Sequence, residues 1–266
     1  MAQEDLVARP LAWDACYNVR DLGGYPTMSG LRIRPQALVR ADNLNRLTPA
    51  GQAALRAYGV RTIIDLRLDH EVEKDPNPFA ASQGPDGEPR YLRLPLLDPE
   101  TDAALNAVES PREQYILIVE RNKERVAAVV KAVAAGLEAG GVLVHCHGGK
   151  DRTGIVVALL LSVVEAPRAT IVADYALTEA RLEAPNIVWL EEQSRIAGRP
   201  LEKPEWMFSR PETMVGLLDY LDRAYGGATS YLAATGVTQA EMAQVRERLT
   251  APPATATARA RPPCEH

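Results

Sequence analysis

The feature that most constrains this chain is the stretch Val142-Leu-Val-His-Cys-His-Gly-Gly-Lys-Asp-Arg-Thr-Gly-Ile155, where a short apolar run meets a glycine-containing loop and then a long apolar segment. Gly141 to Val144 is brief, largely β-branched and preceded by glycine, the pattern of a strand buried in the middle of a sheet. Ile155 to Val164 is apolar on most faces and reads as a buried helix. A strand, a loop and a helix in that order aim the loop N–H groups and the positive end of the helix at one point. That point suits an anion.

Five residues, His147, Gly148, Gly149, Lys150 and Asp151, separate Cys146 from Arg152. Glycine lets the backbone curl with positive φ and approach a ligand closely, so the amides of 147–150 can converge on a tetrahedral oxyanion. Arg152 adds a planar, permanently charged fork that can hold two phosphoryl oxygens. The same field favours Cys146 as a thiolate nucleophile. Lys150 is expected either to meet a second negative group on the substrate or to stand solvated at the helix start. His145 is expected to be buried and to orient the loop, and His147 to be exposed.

The segment His145-Cys146-(x5)-Arg152-Thr153-Gly154 resembles the signature loop of the cysteine-dependent protein tyrosine phosphatase superfamily. In its fuller form, HCxxGKDRTG, it is similar to the atypical bacterial tyrosine-protein phosphatases, some of which also act on phosphoserine, phosphothreonine or phosphoinositides. The likeness extends to Asn18-Val-Arg-Asp-Leu-Gly-Gly24, Val39-Arg-Ala-Asp42, Ile64-Asp-Leu-Arg67 with Glu71, Ala173-Asp-Tyr175, and Tyr225-Gly-Gly through Tyr231 to Gly236. It implies an α/β fold with a central, mostly parallel sheet flanked by helices and a helical C-terminal half. It implies hydrolysis of phosphotyrosine monoesters, or of phosphoserine and phosphothreonine monoesters as well, through a phosphocysteine intermediate. The alternative is a phosphoinositide phosphatase using the same loop. Thr153 has a position whose hydroxyl, in the superfamily, stabilises the departing thiolate.

The general acid has two candidates. Asp151 resembles the residue assigned to acid work in phosphatases with the KDRTG ending. Asp98 follows the strand expected at 91–97, where conventional members of the superfamily carry the acid on a mobile loop; its plainer role is to cap the next helix. Arg67 leaves the carboxyl end of the strand expected at 60–66, the end where ligands bind in open α/β sheets. It is expected to line the pocket mouth, or else to cap a helix or pair with Glu71.

With 266 residues, 46% of them apolar, the chain can bury a large core. The expected layout is an N-terminal extension over 1–12, a phosphatase domain over 13–250 and a disordered tail over 251–266. A helical lid is expected over about 100–122, from position alone. Residues 13–47 read as a small hairpin region and 49–58 as a helix entered from Thr48-Pro49 and closed by Gly59. Residues 75–90 read as a loop and 111–139 as one helical stretch. Further helices are expected at 183–197, 211–225, 228–234 and 239–249.

A net charge of −5 with no basic run argues against a nucleic-acid partner. Cys16, Cys146 and Cys264 are too few and too scattered for a disulfide framework, and the four histidines show no metal-ligand spacing. No metal or cofactor is expected. The N-terminal residues lack a cationic apolar signal segment, so the cytoplasm is expected, although a dedicated export system would leave no such trace. A rhodanese-type sulfurtransferase also places a cysteine at the head of an anion loop, but the loop length and the Asp-Arg-Thr-Gly ending do not match. A non-catalytic phosphate-binding module would be expected to lack the cysteine or the arginine.

Overall fold

The computed structural model describes residues 9–253, so expectations for 1–8 and 254–266, Cys264 and most of the tail included, lie outside the described residues. Strands β1 (Arg9–Pro10), β2 (Arg20–Asp21), β4 (Leu38–Ala41), β5 (Val60–Asp65), β6 (Arg90–Arg93) and β7 (Gly141–His145) form one sheet in the order β1-β2-β4-β7-β5-β6, while β3 (Arg32–Ile33) pairs with β8 (Thr250–Ala251). The pairings β4–β7, β7–β5 and β5–β6 are parallel; β1–β2 and β2–β4 are antiparallel. This is the mixed, mostly parallel α/β fold that the resemblance implied.

The helices are α1 (Pro49–Tyr58), α2 (Asp69–Lys74), α3 (Pro99–Leu105), α4 (Pro111–Arg121), α5 (Lys123–Ala139), α6 (Asp151–Val163), α7 (Arg168–Arg181), α8 (Glu183–Ala197), α9 (Pro211–Tyr225), α10 (Ala228–Ala234) and α11 (Gln239–Leu249). Strand alternation divides the core. Val39, Ile63 and Leu143 face one side with Leu55 of α1, whereas Leu38, Ile64, Val142 and Val144 face the other with α5 and α6. Helix α6 is buried from Thr153 to Leu161, which is why its sequence shows no polar face.

Several boundaries differ from the sequence reading for local reasons. The helix expected over 111–139 breaks at Asn122, whose side chain donates to the Ile118 carbonyl and the Thr101 hydroxyl and accepts from Asp98 N–H. An asparagine bonded to the backbone in this way competes with helix continuation. The strand expected over 91–97 is regular only to Arg93; beyond it Leu94 and Leu96 N–H still donate to the Asp65 and Leu66 carbonyls, and Pro95 between them has its missing N–H on the free edge of the sheet, where proline is tolerated. Helix α3 falls at the start of the stretch expected as a helical lid, and Asp98 caps it, as its plainer reading had it, with Pro99 at the first position. The sheet begins with Arg9–Pro10, inside the stretch expected as an extension, and Ala251 is still paired in β8.

Candidate active site

Strands β4, β7 and β5 run in register, so Ala41, His145 and Asp65 stand side by side at their carboxyl ends. Cys146 is the first residue past β7 and is buried, as fits the junction between a central strand and a loop. The loop that follows is held by its carbonyls. Leu66 N–H donates to His145 (2.9 Å), Asn43 N–H to His147 (2.8 Å) and Gly154 N–H to Lys150 (2.8 Å). The Asn18 amide donates to both Gly148 (2.9 Å) and Gly149 (3.1 Å), and Arg40 adds a 2.6 Å bond to Gly149. By contrast, the amide N–H groups of 147–152 donate to no acceptor among the described residues. A loop whose carbonyls are all bound by the surrounding protein and whose amides are unspent is a cradle for an anion.

Gly149 makes that shape feasible. Its φ of +64° is left-handed, and a Cβ there would sit 2.3 Å from the Ala41 carbonyl oxygen. Gly149→Ala is expected to cost about 2–3 kcal/mol from the strained backbone and the overlap together, and to take most of the turnover with it. A melting temperature equal to wild type would contradict this.

His145 is fully buried; its Nδ1 lies 3.1 Å from the Cys146 carbonyl and its Nε2 3.1 Å from the Asn77 amide. An Nδ1–H donor with Nε2 accepting from Asn77 satisfies both contacts, and burial pushes the imidazole pKa down despite nearby Asp65. His145 is therefore neutral and orients the loop, as expected. His147 is exposed.

Arg152 opens α6 and forks onto Glu71 of α2: one guanidinium nitrogen meets Oε1 at 2.7 Å and the other meets Oε2. Burial alone would lower its pKa; the Glu71 bonds and the adjacent Cys146 sulfur outweigh that and raise it. The guanidinium has five N–H donors, so those not spent on Glu71 remain for a ligand.

Arg67 does not line the mouth. Its guanidinium is fully buried, with Nε and one terminal nitrogen on the Asp65 carboxylate (2.9 and 2.7 Å) and the other terminal nitrogen on the Asp75 carbonyl (2.8 Å). The pairing with Glu71 also fails, because Glu71 serves Arg152. The reason is local: α2 begins at Asp69, so Arg67 is not on the helix and cannot face Glu71 across a turn.

The two acid candidates differ in their surroundings. Asp98 spends its carboxylate as the N-cap of α3, accepting from Thr101 N–H (2.6 Å) and the Thr101 hydroxyl (3.2 Å), and these bonds lower its pKa. Asp151 lies within the loop with its side chain 48% exposed, and its Oδ1 accepts from the Tyr115 hydroxyl at 2.6 Å. The Thr153 hydroxyl is buried with no hydrogen-bond partner among the described residues. Lys150 is mostly buried rather than solvated: its ammonium donates to the carbonyls of Trp206 and Phe208 (3.1 Å to the latter) and lies 3.4 Å from Asp151 Oδ1.

Four supporting residues had no assigned task in the sequence reading. Asn18, Arg40 and Asp174 fall within stretches that carried the resemblance, yet nothing local shows that they meet beneath the loop. Tyr115 had no signal beyond its place in the expected lid.

The sequence matches the tyrosine phosphatase family over residues 11–251. A tyrosine-protein phosphatase of Nostoc commune is 33% identical over 233 residues, covering 84% of this chain and 78% of the relative. The triple specificity protein phosphatase PtpB of Mycobacterium tuberculosis is 29% identical over 276 residues, covering 89% of this chain and 96% of that protein. Among solved structures, TpbA of P. aeruginosa aligns with a TM-score of 0.40 at 16% identity, covering 78% of this chain and 91% of its own.

Proposed function

The chain belongs to the tyrosine phosphatase family, and from that premise we propose that it hydrolyses phosphotyrosine monoesters in proteins with Cys146 as nucleophile. The observation that carries this assignment of roles is the cradle itself, with bound carbonyls, unspent amides over 147–152 and an Arg152 guanidinium fixed by Glu71 with donors to spare. In the first displacement the sulfur attacks phosphorus, an S–P bond forms and the P–O bond to tyrosine breaks. The amides of 147–152 and the free donors of Arg152 stabilise the charge on the equatorial oxygens. Asp151 protonates the departing phenolate oxygen; Asp98, committed to its cap, is passed over. In the second displacement Asp151 takes a proton from water, water oxygen bonds to phosphorus, and the S–P bond breaks. The unpartnered Thr153 hydroxyl then donates to the departing sulfur.

Residues 13–250 form the catalytic unit in this reading, and the expected lid, 100–122, borders the site through Tyr115. The phosphoinositide alternative rested on Lys150 as an extra cation, and its ammonium is engaged by the Trp206 and Phe208 carbonyls. No helix among the described residues is long and apolar enough to cross a membrane.

Phosphate release from matched phosphotyrosine, phosphoserine and phosphothreonine peptides, run beside phosphoinositide vesicles, tests the assignment. Phosphotyrosine is expected to turn over fastest, by roughly tenfold or more. Faster release from the vesicles would overturn the substrate order.

A further inference from the structure

Tyr115 reaches the site from α4, 36 residues before the aspartate it touches. Its ring is 1% exposed, yet its hydroxyl lies 2.6 Å from Asp151 Oδ1 and 2.9 Å from the Tyr175 hydroxyl on α7. The two rings meet edge to face at 6.0 Å, and the Tyr175 ring lies against Gly154 of α6, where an added Cβ would come within 3.1 Å of it. Both phenols are thus fixed by packing. Nothing in a purely apolar role for Tyr115 calls for a short bond to the exposed carboxylate of the loop.

We propose that Tyr115 is a positioning residue for the acid: its hydroxyl holds Oδ1 of Asp151 so that Oδ2 carries the proton given to the leaving oxygen. The inference rests on the reading of Asp151 as general acid. Its logic is a count of donors. With Tyr115 donating to Oδ1, Tyr175 donates to Tyr115; a proton placed on Oδ1 instead would force both phenols to turn round, Tyr115 donating to Tyr175 and the Tyr175 hydrogen losing its acceptor in a buried place, an unfavourable state. Burial, followed by the Asp151 charge, keeps the Tyr115 hydroxyl protonated and able to donate. The other charged groups at Asp151 are Lys150, 3.4 Å from the same Oδ1, and Arg152, the next residue in α6. The tyrosine bond and the lysine both lie on Oδ1, and Oδ2 is left without a partner among the described residues.

The test compares a poor leaving group, phenyl phosphate, with a good one, 4-nitrophenyl phosphate, which needs little proton donation. Asp151→Asn is expected to lower kcat on phenyl phosphate by about 10²–10⁴-fold, with a far smaller loss on 4-nitrophenyl phosphate. Tyr115→Phe is expected to lower kcat on phenyl phosphate roughly tenfold and on 4-nitrophenyl phosphate less than about threefold, with KM unchanged on both. In the Asp151→Asn background, Tyr115→Phe should remove nothing more, because residues acting through one another are not additive. Equal losses on both substrates, or a further loss in the double variant, would reduce Tyr115 to a packing residue. If Asp151→Asn itself shows no leaving-group dependence, the acid assignment falls and the Tyr115 role falls with it. Should Tyr115→Phe fail to fold, Tyr175→Phe, which removes the donor that sets the direction of the chain, is expected to show the same leaving-group signature at about a threefold loss; its absence overturns the proposal.

Discussion

Cys146→Ser is expected to abolish phosphate release, with kcat falling by roughly 10⁴–10⁶-fold, while the protein still folds and binds a phosphate-like anion. The argument starts from what the site lacks around the sulfur. A serine hydroxyl needs a neighbouring base to become a nucleophile, and the imidazole next in sequence cannot serve. Both nitrogens of His145 are committed, Nδ1 to the Cys146 carbonyl and Nε2 to Asn77. A thiol gives up its proton far more readily than an alcohol, so without a base the oxygen is a much poorer nucleophile than the sulfur. Binding should survive, because the carbonyl clamps from Asn18, Arg40 and Asn43 and the Arg152–Glu71 fork do not involve the sulfur. Initial-rate phosphate release and vanadate titration by calorimetry measure the two halves. Residual turnover above about one-hundredth of wild type would show that Cys146 is not the nucleophile.

What was legible in the sequence was what is determined locally. Thr48, Pro49 and Gly59 bracket α1 because cap, first turn and left-handed stop are each set within a few residues, and Thr238 and Gly226 do the same for α11 and α9. The loop was legible for the same reason: a buried strand, two glycines and a cysteine-to-arginine spacing are contiguous. Illegible were the partners of charged groups. Arg67 and Glu71 have helix-pair spacing, but the helix starts too late, so each finds another partner. Arg20 finds its carboxylate partner, Asp174, 154 residues away. A propensity or a cap carries no information about such a contact; only the closing of the sheet and the packing of α7 against α6 bring the groups together.

That buried cluster gives the largest expected effect on stability. Asp174 accepts from Arg20 Nε (2.9 Å) and the Tyr25 hydroxyl (3.1 Å) on Oδ1, and from Arg40 (2.5 Å) on Oδ2. Both arginines are fully buried and Asp174 is 1% exposed. Two cations therefore share one carboxylate, and Arg40 passes the arrangement on to the loop through its bond to the Gly149 carbonyl. Asp174→Asn leaves two buried guanidinium groups facing each other without a counter-charge, at a cost of about 3–5 kcal/mol. In a domain of this size that is a fall of roughly 10 °C in melting temperature. The acid limb of stability should change as well. Burial would raise the Asp174 pKa, but Arg20 and then Arg40 outweigh it and hold it at about 2. Because the folded value lies below the unfolded one of about 3.9, this contribution is complete above the unfolded value and is lost as pH falls towards 2. Arg20, lowered by burial only to about 10, remains charged throughout that window and adds no slope of its own. Wild type should accordingly lose about 2–3 kcal/mol between pH 5 and pH 2 from this group, and Asp174→Asn should lack that component. Urea melts of both proteins across the window measure it, and parallel acid limbs with equal midpoints at neutral pH would show that the cluster does not hold the loop in place.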